Sequence, residues 1–229
     1  IRGGYAIECD VQLSADGEAM VFHDETLGRL TAAGEAVGAR SAADLGALTV
    51  AGSAERIPTL PAFLARIGGR TPLVIEVKSR YTGDLRLAER VAALATAYDG
   101  PVALKSFDPQ IVTALRTLAP GLPRGIVAET RQDDPAYATL PPSLRRALPG
   151  LLHFDETWPD FLSWRVDDLP CAPTVLCRLL GQRPVMTWTV RNPDQRRHAL
   201  DPHQVLRGFQ PDAASVGAAQ SGLLGQHLQ

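Results

Sequence analysis

Short apolar runs alternate with stretches of helical period along most of this chain. Residues 5–14 predict a strand, Asp16-Gly17 a tight turn, and 19–23 a short second strand. Residues 25–56 are polar, Ala- and Gly-rich and weakly periodic, so they read as a small insertion. A helix is expected to about Ile67 from the Pro58-Thr59-Leu60-Pro61 start, with Pro61 tolerated in its first turn. Strands follow at 73–78, 102–105, 125–128, 151–154 and 185–190, and a last short one at 204–206. Helices are expected at 85–98, 109–118 and 193–200, with another beyond Pro173. In the first of these, Leu85, Ala88, Val91, Ala92 and Ala95 share one face. Residues 132–149 read as loop with a short helix near 143–147, and 213–229 as a frayed end or small helix.

Strand, helix and parallel strand repeated without a linker define an α/β architecture. The runs are apolar throughout, as in strands covered on both faces. Counting 5–23 as one, there are seven strand–helix units, where a TIM (β/α)8 barrel has eight. Ile1-Arg2-Gly3-Gly4 reads as a helix end capped by glycine, so the first strand–helix unit is expected ahead of Ile1. The expectation is a single barrel domain over 1–229, with 25–56 inserted after the second strand over the barrel mouth; an open doubly wound sheet is the rival.

Charge and cysteine content narrow the partners. A net charge of −2 leaves no footprint for nucleic acid or an anionic membrane. No apolar run reaches transmembrane length. Cys9, Cys171 and Cys177 form no CxxC pair, which favours a reducing, cytoplasmic setting. The oligomeric state has no sequence sign. Of 23 basic residues only Lys78 and Lys105 are lysines, and both sit at or next to strand ends. There a compact ammonium suits a phosphate or a carboxylate.

The chemistry gathers at strand ends. Ile7-Glu8-Cys9-Asp10-Val11-Gln12-Leu13 sets two carboxylates two residues apart, so Glu8 and Asp10 share a face while Cys9 turns away as a small buried residue. Val21-Phe22-His23-Asp24 and Leu73-Val74-Ile75-Glu76-Val77-Lys78 likewise end in charge or imidazole. Two unpaired carboxylates repel each other and are costly to bury, and a hard divalent cation removes both costs. The plain alternatives are a salt-bridged strand end, with Arg2 or Arg29 facing Glu8 and Asp10, an ion pair between Glu76 and Lys78, and a core histidine at 23. His153 reads as structural, and His198, His203 and His227 as surface residues. Trp158 and Trp164 read as packing, and Asp24 as a brace for the loop that carries His23.

With these residues in view, the chain resembles the glycerophosphodiester phosphodiesterase family of metal-dependent TIM barrels. The likeness runs from about Gly4 to Pro211. Besides the three segments above it rests on Asp16-Gly17, Glu25-Thr26-Leu27, Ile57-Pro58-Thr59-Leu60, Ser106-Phe107-Asp108-Pro109 and Thr187-Trp188-Thr189-Val190. The resemblance implies Glu8, Asp10 and Glu76 as ligands of Ca²⁺ or Mg²⁺ and His23 as one of two catalytic histidines. It implies Lys78 at the phosphate and Trp188 on the wall of the glycerol pocket. The implied reaction cleaves a small glycerophosphodiester into glycerol 3-phosphate and an alcohol, within glycerol and lipid metabolism. The family opens with a strand ending in His-Arg, which carries the other histidine; nothing before Ile7 matches it. Two alternatives stay open: a lysophospholipase D-like hydrolase of lipid phosphodiesters, and a non-catalytic metal- or phosphate-binding relic.

Overall fold

A computed structural model describes residues 1–132 and 135–200. The strands are β1 (Ile7–Leu13), β2 (Ala19–Val21), β3 (Leu73–Val77), β4 (Val102–Ser106), β5 (Arg124–Ala128), β6 (Phe161–Arg165) and β7 (Val185–Trp188). They form one sheet in the order β2-β1-β3-β4-β5-β6-β7, antiparallel only between β1 and β2. The helices are α1 (Ala42–Ala47), α2 (Leu60–Ile67), α3 (Arg86–Thr96), α4 (Pro109–Leu118), α5 (Pro142–Gly150), α6 (Phe154–Thr157), α7 (Ala172–Gly181) and α8 (Pro193–Leu200). Parallel neighbours need such crossovers, and their start signals are local. Thr59 accepts the Ala62 N–H to open α2, and Asp108 accepts the Gln110 N–H to open α4, each with proline in the first turn. Gly68 closes α2 in the left-handed conformation at φ 57°.

The sheet sorts its side chains by alternation. Cys9, Val11, Leu73, Ile75, Val77, Val102 and Leu104 pack in one core with Leu64, Ala88, Val91, Ala92, Ile111 and Leu115 of α2–α4. The other set faces the opposite side, where Val74, Ala103, Phe161 and Met186 form a second cluster. The sheet curls rather than lying flat. Phe107, just after β4, meets Trp188 of β7 edge-on with ring centroids 5.4 Å apart. Three flat strand spacings would separate those positions by about 14 Å. Among the described residues no ladder joins β7 to β1 or β2. The expected strand at 204–206, the tail 213–229, His203 and His227 lie outside the described residues.

The register carries the site. Asp10, Glu76, Lys105, Gly125 and Phe161 are successive partners across β1, β3, β4, β5 and β6. Gly125 leaves room for the Phe161 ring, since a Cβ there would lie 2.2 Å from Phe161 Cε2. Gly125→Ala is therefore expected to lower stability by about 1–3 kcal/mol through overpacking. A thermal melt checks it, and an unchanged melting temperature would show that the ring moves freely.

One expectation needs correction. Residues 151–154 are not a strand but a turn entering α6, with Leu151 at φ 51°. Their apolar signal is real, because Leu151 and Phe154 pack in the core with Leu162 and Trp164. The strand lies instead at Phe161–Arg165, where Ser163 and Arg165 interrupt the apolar run. The Asp160 carboxylate accepts the Arg124 N–H at 2.9 Å and the Asp160 N–H donates to the Arg124 carbonyl at 2.8 Å, which ties β6 to β5. At the other end, residues 1–4 form a turn, with Gly4 in the left-handed conformation and its N–H donating to the Ile1 carbonyl at 3.1 Å. Within 25–56, Leu27, Val37 and Leu45 are buried against Met20, Phe22 and Ile57, with Leu30, Leu48 and Val50 packed around them.

Candidate active site

The three carboxylates named from the sequence converge. Glu8 and Asp10 project from β1 and Glu76 from β3, and an oxygen of each lies within 4.8 Å of the others. Among the described residues this is the group of acidic, His or Cys side chains that could hold a metal. Its donors are all oxygen and no Cys or His joins them, which fits a hard divalent cation. Glu8 and Asp10 are half-buried and Glu76 is 4% exposed, so the cluster is reached from one side.

Both lysines of the chain enter this cluster. Lys78 Nζ is 2.7 Å from Asp10 Oδ1 and 2.5 Å from Glu76 Oε1. Lys105 Nζ is 2.9 Å from Glu8 Oε1 and 3.3 Å from Glu76 Oε2. The ion pairs thus run to lysines and not to Arg2 or Arg29; Arg29 is held by Asp24. Burial opposes ionisation of Glu76, but Lys105 and Lys78 outweigh it and hold its carboxyl below the usual range. Asp10 moves the other way, pushed up by burial and then by the charge of Glu76, with Lys78 only partly offsetting them. Burial works against both ammoniums, yet Glu76 with Asp10 raises Lys78, and Glu76 with Glu8 raises Lys105.

Lys78 is placed by its neighbours. Its N–H donates to the Val11 carbonyl at 3.2 Å. Ser79 Oγ donates to Asp108 Oδ2 at 2.5 Å, tying the loop after β3 to the start of α4. A cavity of about 360 Å³ adjoins Lys78, lined among others by Gln12, Ser14, Gly38, Thr82, Asp84 and Arg86.

His23 stands on the loop after β2, with its side chain 57% exposed. Its Nδ1 is 2.7 Å from Asp24 Oδ1, and Arg29 grips the same carboxylate through Nε at 2.7 Å and Nη2 at 2.8 Å. Asp24 therefore orients the imidazole itself, a more direct role than the brace read from sequence. With Nδ1–H given to Asp24, the Nε2 atom is the one left for proton transfer. Gln12 Nε2 also donates to the His23 carbonyl at 3.1 Å. The Arg29 guanidinium holds Asp24 down to about 2, ahead of the smaller effect of His23. Such a depressed carboxyl contributes its stabilisation above the usual carboxylate range and loses it as the pH falls through about 2.

Trp188 ends β7, its Nε1 donating to the Ser163 carbonyl at 3.2 Å and its ring against Phe107. Sequence reasoning missed one polar group at the same strand ends. Glu129, after β5, is buried and accepts from Tyr137 Oη at 2.7 Å and Arg165 Nη1 at 3.0 Å. Its signal is another apolar run ending in a carboxylate; Arg165 belongs to β6, which the apolar pattern does not mark. His153 is buried, with Nδ1 3.4 Å from Thr157 Oγ1, and burial lowers its pKa. His198 is no plain surface residue, since its Nε2 lies 2.7 Å from the Leu169 carbonyl. Trp164 is fully buried packing, while Trp158 is largely exposed beside Arg183.

A curled parallel sheet with carboxylates, ammoniums and an indole at the C-terminal ends of its strands is the layout of a barrel-type α/β enzyme. Residues 2–208 match the model of the glycerophosphoryl diester phosphodiesterase family, and the chain belongs to that family. It is 32% identical over 130 residues to YhdW of Bacillus subtilis (strain 168), a protein that carries the name of a glycerophosphodiester phosphodiesterase. That stretch covers 53% of each, so the chain spans about half the length of the curated relative it matches. Two solved structures are alike in fold. One is a phosphodiesterase of Oleispira antarctica in complex with its product sn-glycerol-3-phosphate, at TM-score 0.66 and 19% identity, covering 85% of this chain and 76% of that one. The other is the glycerophosphodiester phosphodiesterase of Thermotoga maritima, at TM-score 0.60 and 21% identity, covering 83% and 75%. No helix among the described residues is long and apolar enough to cross a membrane.

Proposed function

We propose that this chain hydrolyses small glycerophosphodiesters to glycerol 3-phosphate and an alcohol, with Ca²⁺ or Mg²⁺ held by Glu8, Asp10 and Glu76. The observation that carries the reading is the meeting of those three carboxylates with Lys78 at one end of the sheet. When bound, the cation supplies charge neutralisation at a non-bridging phosphate oxygen. Lys78 supplies a partly exposed ammonium that contacts the same phosphate. His23, its Nδ1 fixed by Asp24, transfers a proton through Nε2, giving it to the departing alkoxide or taking it from the attacking hydroxyl. Trp188, held edge-on to Phe107, forms the wall for the glycerol end. The barrel mouth is the place for 25–56, above the cavity beside Lys78 that takes the alcohol.

A small polar substrate is favoured over a lipid. The apolar side chains of 25–56 point into their own core, and the adjoining cavity carries Lys78, Arg80, Asp84 and Arg86 on its lining. The test is release of glycerol 3-phosphate from glycerophosphocholine and glycerophosphoethanolamine by protein with its native N-terminal residues, stripped with EDTA and then given Ca²⁺ or Mg²⁺. Release restored by one cation is the expected result. Turnover that persists in excess chelator would remove the metal role, and a folded protein inert with both cations would remove the reaction.

A further inference from the structure

Lys105 has no part in the mechanism above, yet it is the most deeply enclosed ammonium or guanidinium among the described residues. It is 2% exposed and lies in register beside Glu76, on the far side of that residue from Asp10. Its ammonium touches Glu8 at 2.9 Å and Glu76 at 3.3 Å, two of the three carboxylates assigned to the cation. Lys78, by contrast, is 21% exposed in its side chain and takes Asp10 and the other oxygen of Glu76. The two lysines therefore differ in access. One can be drawn to a ligand, whereas the other has nowhere to go. Gly125 and the Phe161 ring over it occupy the next positions in the row, so the Lys105 end of the cluster is closed off.

The charges of this cluster can be followed in order. Three carboxylates facing two ammoniums leave one negative charge. A divalent cation turns that into one positive charge, which matches the single negative charge of a phosphodiester. Without Lys105 the loaded cluster would be neutral. We infer that Lys105 is a built-in counter-charge: it keeps the carboxylates from binding the cation too tightly and leaves the loaded site one positive charge for a monoanionic phosphodiester. This rests on the cation reading given above. It differs from the usual role of a residue supporting metal ligands, because the sign is opposite. A group that merely positions carboxylates weakens cation binding when it is removed, whereas an opposing charge strengthens it.

The experiment is calorimetric titration of EDTA-stripped protein with CaCl₂ and with MgCl₂, comparing wild type, Lys105→Met and Lys105→Gln. Both variants are expected to bind the cation about tenfold or more tightly, from Coulomb interaction at these separations. Their melting temperatures should be lower than wild type without cation, and should rise further than wild type when it is added. With glycerophosphocholine, KM should increase by a larger factor than kcat falls. Equal or weaker cation binding in both variants would overturn the inference while leaving the cation site standing. A wild type that binds neither cation would overturn both readings. If the variants do not fold when stripped, refolding in millimolar CaCl₂ decides: recovery supports the counter-charge, and failure in both overturns it.

Discussion

Glu76→Gln is expected to weaken divalent binding and turnover together. Glu76 is the hub of the cluster: it accepts both lysines and sits between Asp10 and Lys105 in the register. Glutamine keeps the shape but removes the charge on which the buried Lys105 and the part-buried Lys78 depend. Breaking a buried ion pair from one side costs about 3–5 kcal/mol, so the melting temperature should fall even without any cation. Loss of one ligand of three should weaken Ca²⁺ or Mg²⁺ at least roughly a hundredfold, since affinity follows ligand charge. Turnover should drop by about three orders of magnitude, about 4 kcal/mol in the barrier. Melting curves separate the stability loss from the catalytic one, provided rates are compared below both transitions. A Glu76→Gln protein that binds either cation within a few-fold of wild type would take Glu76 out of the ligand set.

His23→Gln should have the opposite signature. The side chain is mostly exposed and its ring is held by Asp24, so stability should barely change. The cation should bind as in wild type, because the three proposed ligands are on β1 and β3. The chemical step should slow by about 10²- to 10⁴-fold, the range for a positioned proton-transfer group. Single-turnover rates on glycerophosphocholine check it, with calorimetry of the cation on the same preparation. If the rate falls less than about fivefold, His23 is not the proton donor. Asp24 remains ionised throughout any assay near neutrality, because Arg29 holds it down to about 2. The acid side of a wild-type pH profile therefore has to come from another group.

What the sequence disclosed follows from how each signal arises. Strand-end carboxylates show as charges in apolar runs, and strict alternation by itself pairs Glu8 with Asp10, and Glu76 with Lys78, on one face of each strand. Helices with a cap and a proline at the start, such as Pro109–Leu118, are legible to the residue. The partners are not. Which cation faces Glu8 depends on the stagger between β3 and β4, a tertiary quantity, so arginines near in sequence are natural suggestions and Lys105 the real neighbour. Strand β6 is unreadable for a similar reason. Ser163 and Arg165 lie on the face away from the helices, where Arg165 pairs with Glu129, so the run lacks the apolar continuity of β3. The capped turn at 151–154 imitates a strand, because its apolar residues reach the same core.

The register row has a further consequence, for folding. Parallel strands of apolar residues can pair in several staggers with similar hydrophobic gain. Here a slip of one residue between β3 and β4 would turn Lys105 into the helix-covered layer, among Leu73, Ile75 and Val77 of β3. An ammonium stranded there has no partner, and such burial costs several kcal/mol. The charges gathered in the candidate site thus also mark the one alignment in which the chain can close its core, so the cluster acts as a key to its own scaffold.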